Sequence, residues 1–228
     1  MASTALVIGR GGLGAALVQA LQSQHAQVLS LGRGSTPAID YADERSLADA
    51  AAWTAAQCEA APLLLLVVAT GFLHGAQGQP ERSLSELDAA YLAHVFQVNA
   101  VGPALVMKHF LPLLPRQGRC VAAFVSAKVG SIADNRLGGW YGYRASKAAL
   151  NQLVKTASIE QARRNRESAI VALHPGTVDT PLSQPFAKSG LKVRSADVAA
   201  QEIAQVLAGL GPQDTGRLVD YQGQTLPW

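Results

Sequence analysis

Cysteine is scarce: two in 228 residues, Cys58 and Cys120, each in an apolar stretch and at no metal-binding spacing. That excludes a disulfide framework and a cysteine-built metal centre, and both thiols are expected to be reduced core residues. Long hydrophobic runs are missing as well. The longest aliphatic run, Leu63 to Ala69, is far too short to cross a bilayer and has the unbroken apolar character of a parallel strand buried on both faces, so no membrane partner is expected. The N-terminus has no basic start followed by an apolar stretch and a cleavage site, because its short apolar run ends in a glycine turn. Secretion is therefore not expected and the cytoplasm is the expected compartment. Concentrated charge is also wanting. The net charge is +3 and the pI near 9.0, yet only Arg163, Arg164 and Arg166 cluster, where a helix should end and cations complement its dipole. Without interleaved aromatics they form no nucleic-acid surface. Linkers, repeats and low-complexity tracts are absent, which predicts one domain over residues 1–228. At 49% hydrophobic content, such a domain can bury a sizeable core.

Two motifs carry chemistry. In Tyr143-Arg144-Ala145-Ser146-Lys147 a phenol and an ammonium four residues apart share one face of a helix. A phenol that exchanges protons at neutral pH needs a nearby positive charge, and lowering it from about 10 to about 7 takes about 4 kcal/mol. Lys147 is placed to supply that charge. At the other end of the chain, the buried strand Thr4 to Ile8 runs into Gly9-Arg10-Gly11-Gly12-Leu13-Gly14, and a helical pattern follows to about Gln24. This is G-x-G-x-x-G between strand and helix, where bare backbone can approach a pyrophosphate at the helix N-terminus.

Strand-like runs at Thr4 to Ile8, Gln27 to Leu31, Leu63 to Ala69, Gly118 to Val125, Ala169 to Leu173 and Arg217 to Asp220 alternate with helical ones. The alternation predicts an α/β fold, a single-domain doubly wound parallel sheet of Rossmann type with helices on both faces. Between Arg33 and Ile39 there are too few residues for a helix, so a loop leading to a short strand around Ala38 and Ile39 is expected. A helical pattern spans Leu84 to Leu114 with a kink near Gly102 and Pro103, and another runs from Tyr143 to about Arg163.

With both motifs and this order, the chain resembles the short-chain dehydrogenase/reductase family over nearly its whole length. Further matching segments are Ala69-Thr70-Gly71, Val98-Asn99-Ala100-Val101-Gly102 and His174-Pro175-Gly176-Thr177-Val178-Asp179-Thr180. Gly138-Gly139-Trp140-Tyr141-Gly142-Tyr143-Arg144 and the closing Leu226-Pro227-Trp228 are similar to the C-factor-like and sniffer-like carbonyl reductase branch. The resemblance implies a carbonyl reduction in which a nicotinamide delivers hydride and Tyr143 protonates the developing alkoxide. In that scheme Lys147 lowers the Tyr pKa and holds the nicotinamide ribose, while Asn99 supports a proton-passing water. It further implies that Gly9, Arg10, Gly11, Gly12, Leu13, Gly14, Ala69, Thr70 and Gly71 line the cofactor. Pro175, Gly176, Thr177, Val178 and Thr180 would hold its pyrophosphate and carboxamide, and Asp40 and Tyr41 its adenine. As a bare sequence feature, Asp40 could equally cap a helix beginning before Glu44. The resemblance also implies a homodimer or homotetramer, with the two long helices forming the broad face on which family members dimerise, and a mobile lid from Pro181 to Val193, around Phe186 and Gly190.

Two features depart from the family pattern. The glycine turn is one residue shorter than the commonest form and is similar to that of dihydropteridine reductases. The family's catalytic Ser opens a Ser-x-x-Gly segment after the fifth strand, and aligning on Gly130 puts Ala127 there. Ser126 and Ser131 flank the gap, so either hydroxyl could be recruited or the site could work without one; Ser126 is the preferred candidate.

The cofactor itself follows from physical chemistry. A carboxylate ending the second strand would hold the ribose 2′-hydroxyl of NAD, but no acidic residue precedes Asp40. Arg33 at that corner and Arg10 in the glycine turn offer guanidinium forks to a 2′-phosphate, which predicts NADP(H). A small-molecule carbonyl compound is the expected partner, with no metal. The alternative is an NADP(H)-binding signalling or sensing protein of C-factor type with little turnover.

Overall fold

The computed structural model describes residues 2–186 and 193–228. In chain order the elements are β1 (Thr4–Ile8), α1 (Gly12–Leu21), β2 (Gln27–Leu31), α2 (Glu44–Gln57), β3 (Leu63–Val68), α3 (Ala89–Phe96), α4 (Gly102–Phe110), β4 (Cys120–Val125) and α5 (Tyr141–Arg164). There follow β5 (Ser168–His174), β6 (Thr177–Val178), β7 (Val193–Arg194), α6 (Ala196–Gly209), β8 (Leu218–Asp220) and β9 (Thr225–Leu226). The main sheet runs β2-β1-β3-β4-β5-β8-β9, parallel throughout except for β9, which lies antiparallel to β8. This is the doubly wound Rossmann sheet that the alternation of strand and helix patterns predicts.

Central strands such as Leu63–Val68 and Cys120–Val125 are apolar at nearly every position because both their faces are covered. Leu6, Ile8, Leu66, Ala122 and Phe124 face a core built with α2, α4 and α5. The intervening Ala5, Val7, Val67, Val121 and Ala123 face one built with α1 and α6. Ile39, which follows β2, is buried in the first of these cores. Gly9, Ala69, Ser126 and Pro175 all follow strand ends at the carboxyl edge of the sheet, where such folds bind ligands.

Four expectations need correction. No strand forms at Ala38 and Ile39: Ser35 Oγ accepts from the Gly32 N–H (2.9 Å) and donates to the Pro37 carbonyl (2.6 Å), and the Ile39 N–H returns to the Gly32 carbonyl (3.0 Å). The backbone is satisfied inside the loop and has no need of a ladder. Second, the cap of α2 is Asp43, whose carboxylate accepts from the Arg45 N–H (3.0 Å); Asp40 accepts instead from the Ala42 N–H (2.9 Å). Third, the helical pattern from Leu84 opens with a separate 3-10 turn, and α3 begins only after Asp88, which caps it through the Tyr91 N–H (2.7 Å). Fourth, the irregularity expected near Gly102 and Pro103 falls one turn earlier, as a π turn at Gln97–Val101. Pro103 has no N–H for the Asn99 carbonyl, and the Gly102 N–H reaches back to the Gln97 carbonyl.

Among the described residues, one helical run, Ala89–Leu113, is long and apolar enough to cross a membrane by length and composition. Its Val95, Val106, Met107 and Phe110 are buried within the protein.

Candidate active site

The glycine turn owes its shape to crowding. Gly9 has φ +116°, and a methyl group there would lie 2.9 Å from the Ala69 carbonyl carbon. One on Gly14 would collide with the Gly9 carbonyl oxygen. Gly11 precedes α1 without a side-chain cap, and the space beside it is open, so the first N–H groups of the helix face outward unblocked. Gly12 lies against Thr180, whose Cγ2 would sit 3.1 Å from an added methyl. The turn and the segment after β5, 168 positions apart in the chain by these two residues, therefore meet over the sheet edge.

Beside the turn, Arg10 donates from Nη1 to the Gly34 carbonyl (2.9 Å), which holds its guanidinium at the tip of β2. Arg33 is exposed on the same loop. Asp40 is exposed. The Tyr41 hydroxyl lies 2.8 Å from Thr70 Oγ1, and burial pushes its phenol up to about 12. Arg10, Arg33, Asp40, Tyr41 and the Ala69-Thr70-Gly71 segment thus border one corner.

The reactive pair lies on α5. Tyr143 is 7% exposed and Lys147 2%. The Lys147 ammonium lies 5.8 Å from the Tyr143 ring centroid and donates to the Val125 carbonyl at 2.9 Å. Asn99 Oδ1 accepts from the Phe72 N–H (2.8 Å), and its Nδ2 donates to the Phe72 carbonyl (2.8 Å) and Ser146 Oγ (3.1 Å). Ser146 in turn donates to the Tyr143 carbonyl at 2.9 Å. A methyl group on Gly71 would sit 3.6 Å from Lys147 Nζ and 3.7 Å from Asn99 Oδ1, so these three residues converge.

Lys147 alone does not lower the Tyr143 pKa as expected. Burial pushes the phenol up to about 12 and the ammonium down to about 7, because each charged form has lost its water. Tyr143 is therefore a protonated acid throughout the neutral range.

Ser126 is also placed differently from expectation. Its hydroxyl donates to Asn151 Oδ1 at 2.6 Å, and Ser131 Oγ accepts from the Asp134 N–H at 3.1 Å. Both residues are buried, and among the described residues neither bonds to Tyr143. Ala127 is half-buried and heads the 3-10 turn Lys128–Gly130. An added methyl on Gly130 would meet Lys147 Cβ at 2.8 Å, so the glycine packs directly on α5.

After β5, Thr177 and Val178 pair with Val193 and Arg194, closing the base of the segment between them. Arg194 is buried, stacks on Tyr221 at 3.4 Å, pairs with Glu202 and donates to the Pro175 carbonyl, fixing Pro175 and Gly176. Among the described residues His174 Nδ1 is buried without a partner, and burial holds this imidazole down at about 4. Of the expected lid, Phe186 is described and Gly190 lies outside the described residues.

Four residues here escape sequence inspection. Trp140 has φ +52° and stands edge-on to Tyr143 (6.2 Å) and Phe186 (5.1 Å). His74 stands edge-on to Phe186 (5.3 Å), and its Nε2 lies 3.1 Å from the Pro181 carbonyl. Ser146 joins Asn99 to α5, and its spacing of three from Tyr143 was a usable signal. Glu81 is buried against the start of α5, and no local signal marks it.

A family model described as short chain dehydrogenase matches residues 35–190. The chain is 38% identical over 146 residues to C-signal of Myxococcus xanthus, a match covering 64% of this chain and 84% of that protein. Three further curated relatives are spanned over 56–62% of their own length. Among solved structures, the carbonyl reductase Sniffer of D. melanogaster superposes with a TM-score of 0.85 at 25% identity, covering 100% of both chains. A Burkholderia multivorans short-chain dehydrogenase/reductase with bound NADP superposes with a TM-score of 0.80 at 25% identity, again over 100% of both.

Proposed function

Because this chain belongs to the short-chain dehydrogenase family, we propose that it is an NADPH-dependent oxidoreductase that reduces the carbonyl group of a small aldehyde or ketone. The observation that carries this reading is the convergence of Tyr143, Lys147, Asn99 and Gly71 at the same sheet edge as an uncapped, glycine-opened helix N-terminus. NADPH, when bound, supplies the hydride. The N–H groups at Gly11, Gly12 and Leu13 would hold its pyrophosphate, with Thr180 closing over Gly12. Gly9 and Gly14 keep the turn tight enough for that approach. Asp40, Tyr41, Ala69 and Thr70 would border the adenine and its ribose, and Pro175, Gly176, Thr177 and Val178 the carboxamide. Tyr143 gives its proton to the carbonyl oxygen as charge develops there. Lys147 would hold ribose hydroxyls of the bound cofactor and, in its charged form, would steady the resulting phenolate.

The cofactor preference rests on Arg10 and Arg33 and on the lack of a carboxylate at the end of β2. Arg33→Ala is expected to cut the ratio of NADPH to NADH affinity by about 10-fold. Fluorescence titration of both cofactors measures this, and an unchanged ratio would sink the assignment.

Ala127 leaves the substrate oxygen with one hydroxyl donor instead of two. Ala127→Ser is accordingly expected to raise kcat/KM for a simple ketone about 3–10-fold, well short of what a fully preorganised donor supplies. Steady-state kinetics on one ketone checks it; no gain would mean that the site is built to work without the second hydroxyl.

A second reading is a C-factor-type signalling protein that binds NADPH with little turnover, favoured by the 38% identity to C-signal and by Ala127. NADPH oxidation across a panel of aldehydes, diketones, quinones and quinonoid dihydropterin separates the two. Turnover that needs Tyr143 supports the reductase, and bound NADPH without turnover supports the signal.

A further inference from the structure

Glu81 lies in the connection between β3 and α3 and is 2% exposed. Among the described residues its carboxylate makes no ion pair; its two oxygens instead accept from the Gly142 N–H, at 3.1 and 3.3 Å. Its own carbonyl accepts the Trp140 N–H. Burying a carboxylate is costly unless hydrogen bonds and opposite charge compensate. Here the compensation comes from the N-terminus of α5, a 24-residue helix whose unpaired N–H groups and dipole favour an anion.

That helix has no cap of its own. The residue at the capping position is Trp140, which offers no side-chain hydrogen bond to the first turn and sits at φ +52° after two glycines at φ +64°. A left-handed entry of this kind is strained for a bulky residue and persists only when its surroundings hold it. Both backbone N–H groups held by Glu81 belong to this entry. The fit at Gly142 is close: a methyl there would lie 3.0 Å from Glu81 Oε1 and 2.9 Å from Leu92 Cδ2. Burial pushes the Tyr91 phenol up to about 12, and the Glu81 charge adds to the effect. Tyr143 follows Gly142 directly, and the Trp140 ring stands over it.

We propose that Glu81 is a positioning residue for Tyr143: from 61 positions upstream of Gly142 it caps the helix that carries the phenol and fixes the left-handed turn that sets Trp140 against it. This rests on Tyr143 being the proton donor. An acid misplaced by about 1 Å can lose about 10²-fold in rate without any change at the cofactor.

The test compares wild type, Glu81→Ala and Glu81→Gln by turnover on one aldehyde, well below their melting temperatures, and by NADPH titration. Glu81→Ala is expected to lose kcat about 10–100-fold while its NADPH affinity stays within about 2-fold. Glu81→Gln keeps an acceptor oxygen for Gly142 and is expected to hold kcat within about 3-fold. A cap that serves stability alone would lower the melting temperature and leave kcat intact, which overturns the proposal, as does a parallel loss of kcat and NADPH affinity. If Glu81→Ala does not fold, Gly142→Ala crowds the same carboxylate and is expected to give the same selective loss; normal kcat there overturns it. If wild type shows no Tyr143-dependent turnover, it is the function that fails. The positioning is then decided by the near-ultraviolet circular dichroism of the Trp140–Tyr143 pair, expected to change in Glu81→Ala and not in Glu81→Gln; an unchanged spectrum overturns it.

Discussion

Tyr143→Phe is expected to lower NADPH-dependent carbonyl reduction by about 10³-fold while folding and NADPH binding persist. Among the described residues the Tyr143 hydroxyl makes no hydrogen bond, whereas its ring is buried and packed edge-on to Trp140. Removing the oxygen therefore breaks no internal bond and leaves the apolar contacts in place, so a stability change beyond about 1 kcal/mol is not expected. What disappears is the proton. With its phenol at about 12, Tyr143 is fully protonated at neutral pH, the state in which a carbonyl oxygen can be served as its charge grows. Measuring kcat and the NADPH dissociation constant on the same preparation separates chemistry from binding. A variant that keeps more than a tenth of wild-type turnover would remove the phenol from the mechanism.

The sheet and most of the site could be read from the residues because both rest on local patterns. Leu63–Val68 is recognisable as a doubly covered strand from its own side chains, and the glycine turn from its place between strand and helix. The pair β6–β7 left no such trace, because two-residue strands carry no periodicity; β8 falls within the strand expected from Arg217 to Asp220, but its two-residue antiparallel partner β9 had no signal of its own and is brought to it by the chain reversal at Gly223. The short strand expected at Ala38 and Ile39 failed because Ser35 satisfied the backbone locally, a choice that propensity does not register. Ser126 shows the same limit within the site. Its position beside Ala127 was legible, but the direction of its hydroxyl depends on Asn151, one turn beyond Lys147 on another element. Glu81 was invisible for the converse reason. A single carboxylate in a loop means nothing until the fold brings the start of α5 to it.

Lys147→Met should make the protein more stable and much less active. The buried ammonium has its pKa drawn from 10.5 down to about 7 by loss of water. Between about pH 7 and 10.5 the unfolded chain therefore binds more protons than the folded one, and stability from this residue rises with pH. Below about 7 both states are charged and the full penalty is present, about 5 kcal/mol as an upper bound. Methionine fills the same channel without charge but gives up the bond to the Val125 carbonyl, so a gain of about 1–4 kcal/mol at pH 7 is expected. That gain should shrink by about 2 kcal/mol between pH 7 and 9. Comparing the two proteins by urea unfolding at each pH cancels the contributions that do not involve residue 147. The same change removes the only cation bonded at the end of β4 among the described residues, and turnover is expected to fall at least about 100-fold, with weaker NADPH binding. Burial draws the Lys147 pKa down in the free protein, and the proposed mechanism needs its ammonium charged beside the cofactor, so wild type should also take up protons on binding NADPH, seen as a buffer-dependent heat in calorimetry and absent in Lys147→Met. A variant less stable than wild type at both pH values would mean that Lys147 folds as a satisfied charge, and the dehydrated amine at the centre of this mechanism would have to be abandoned.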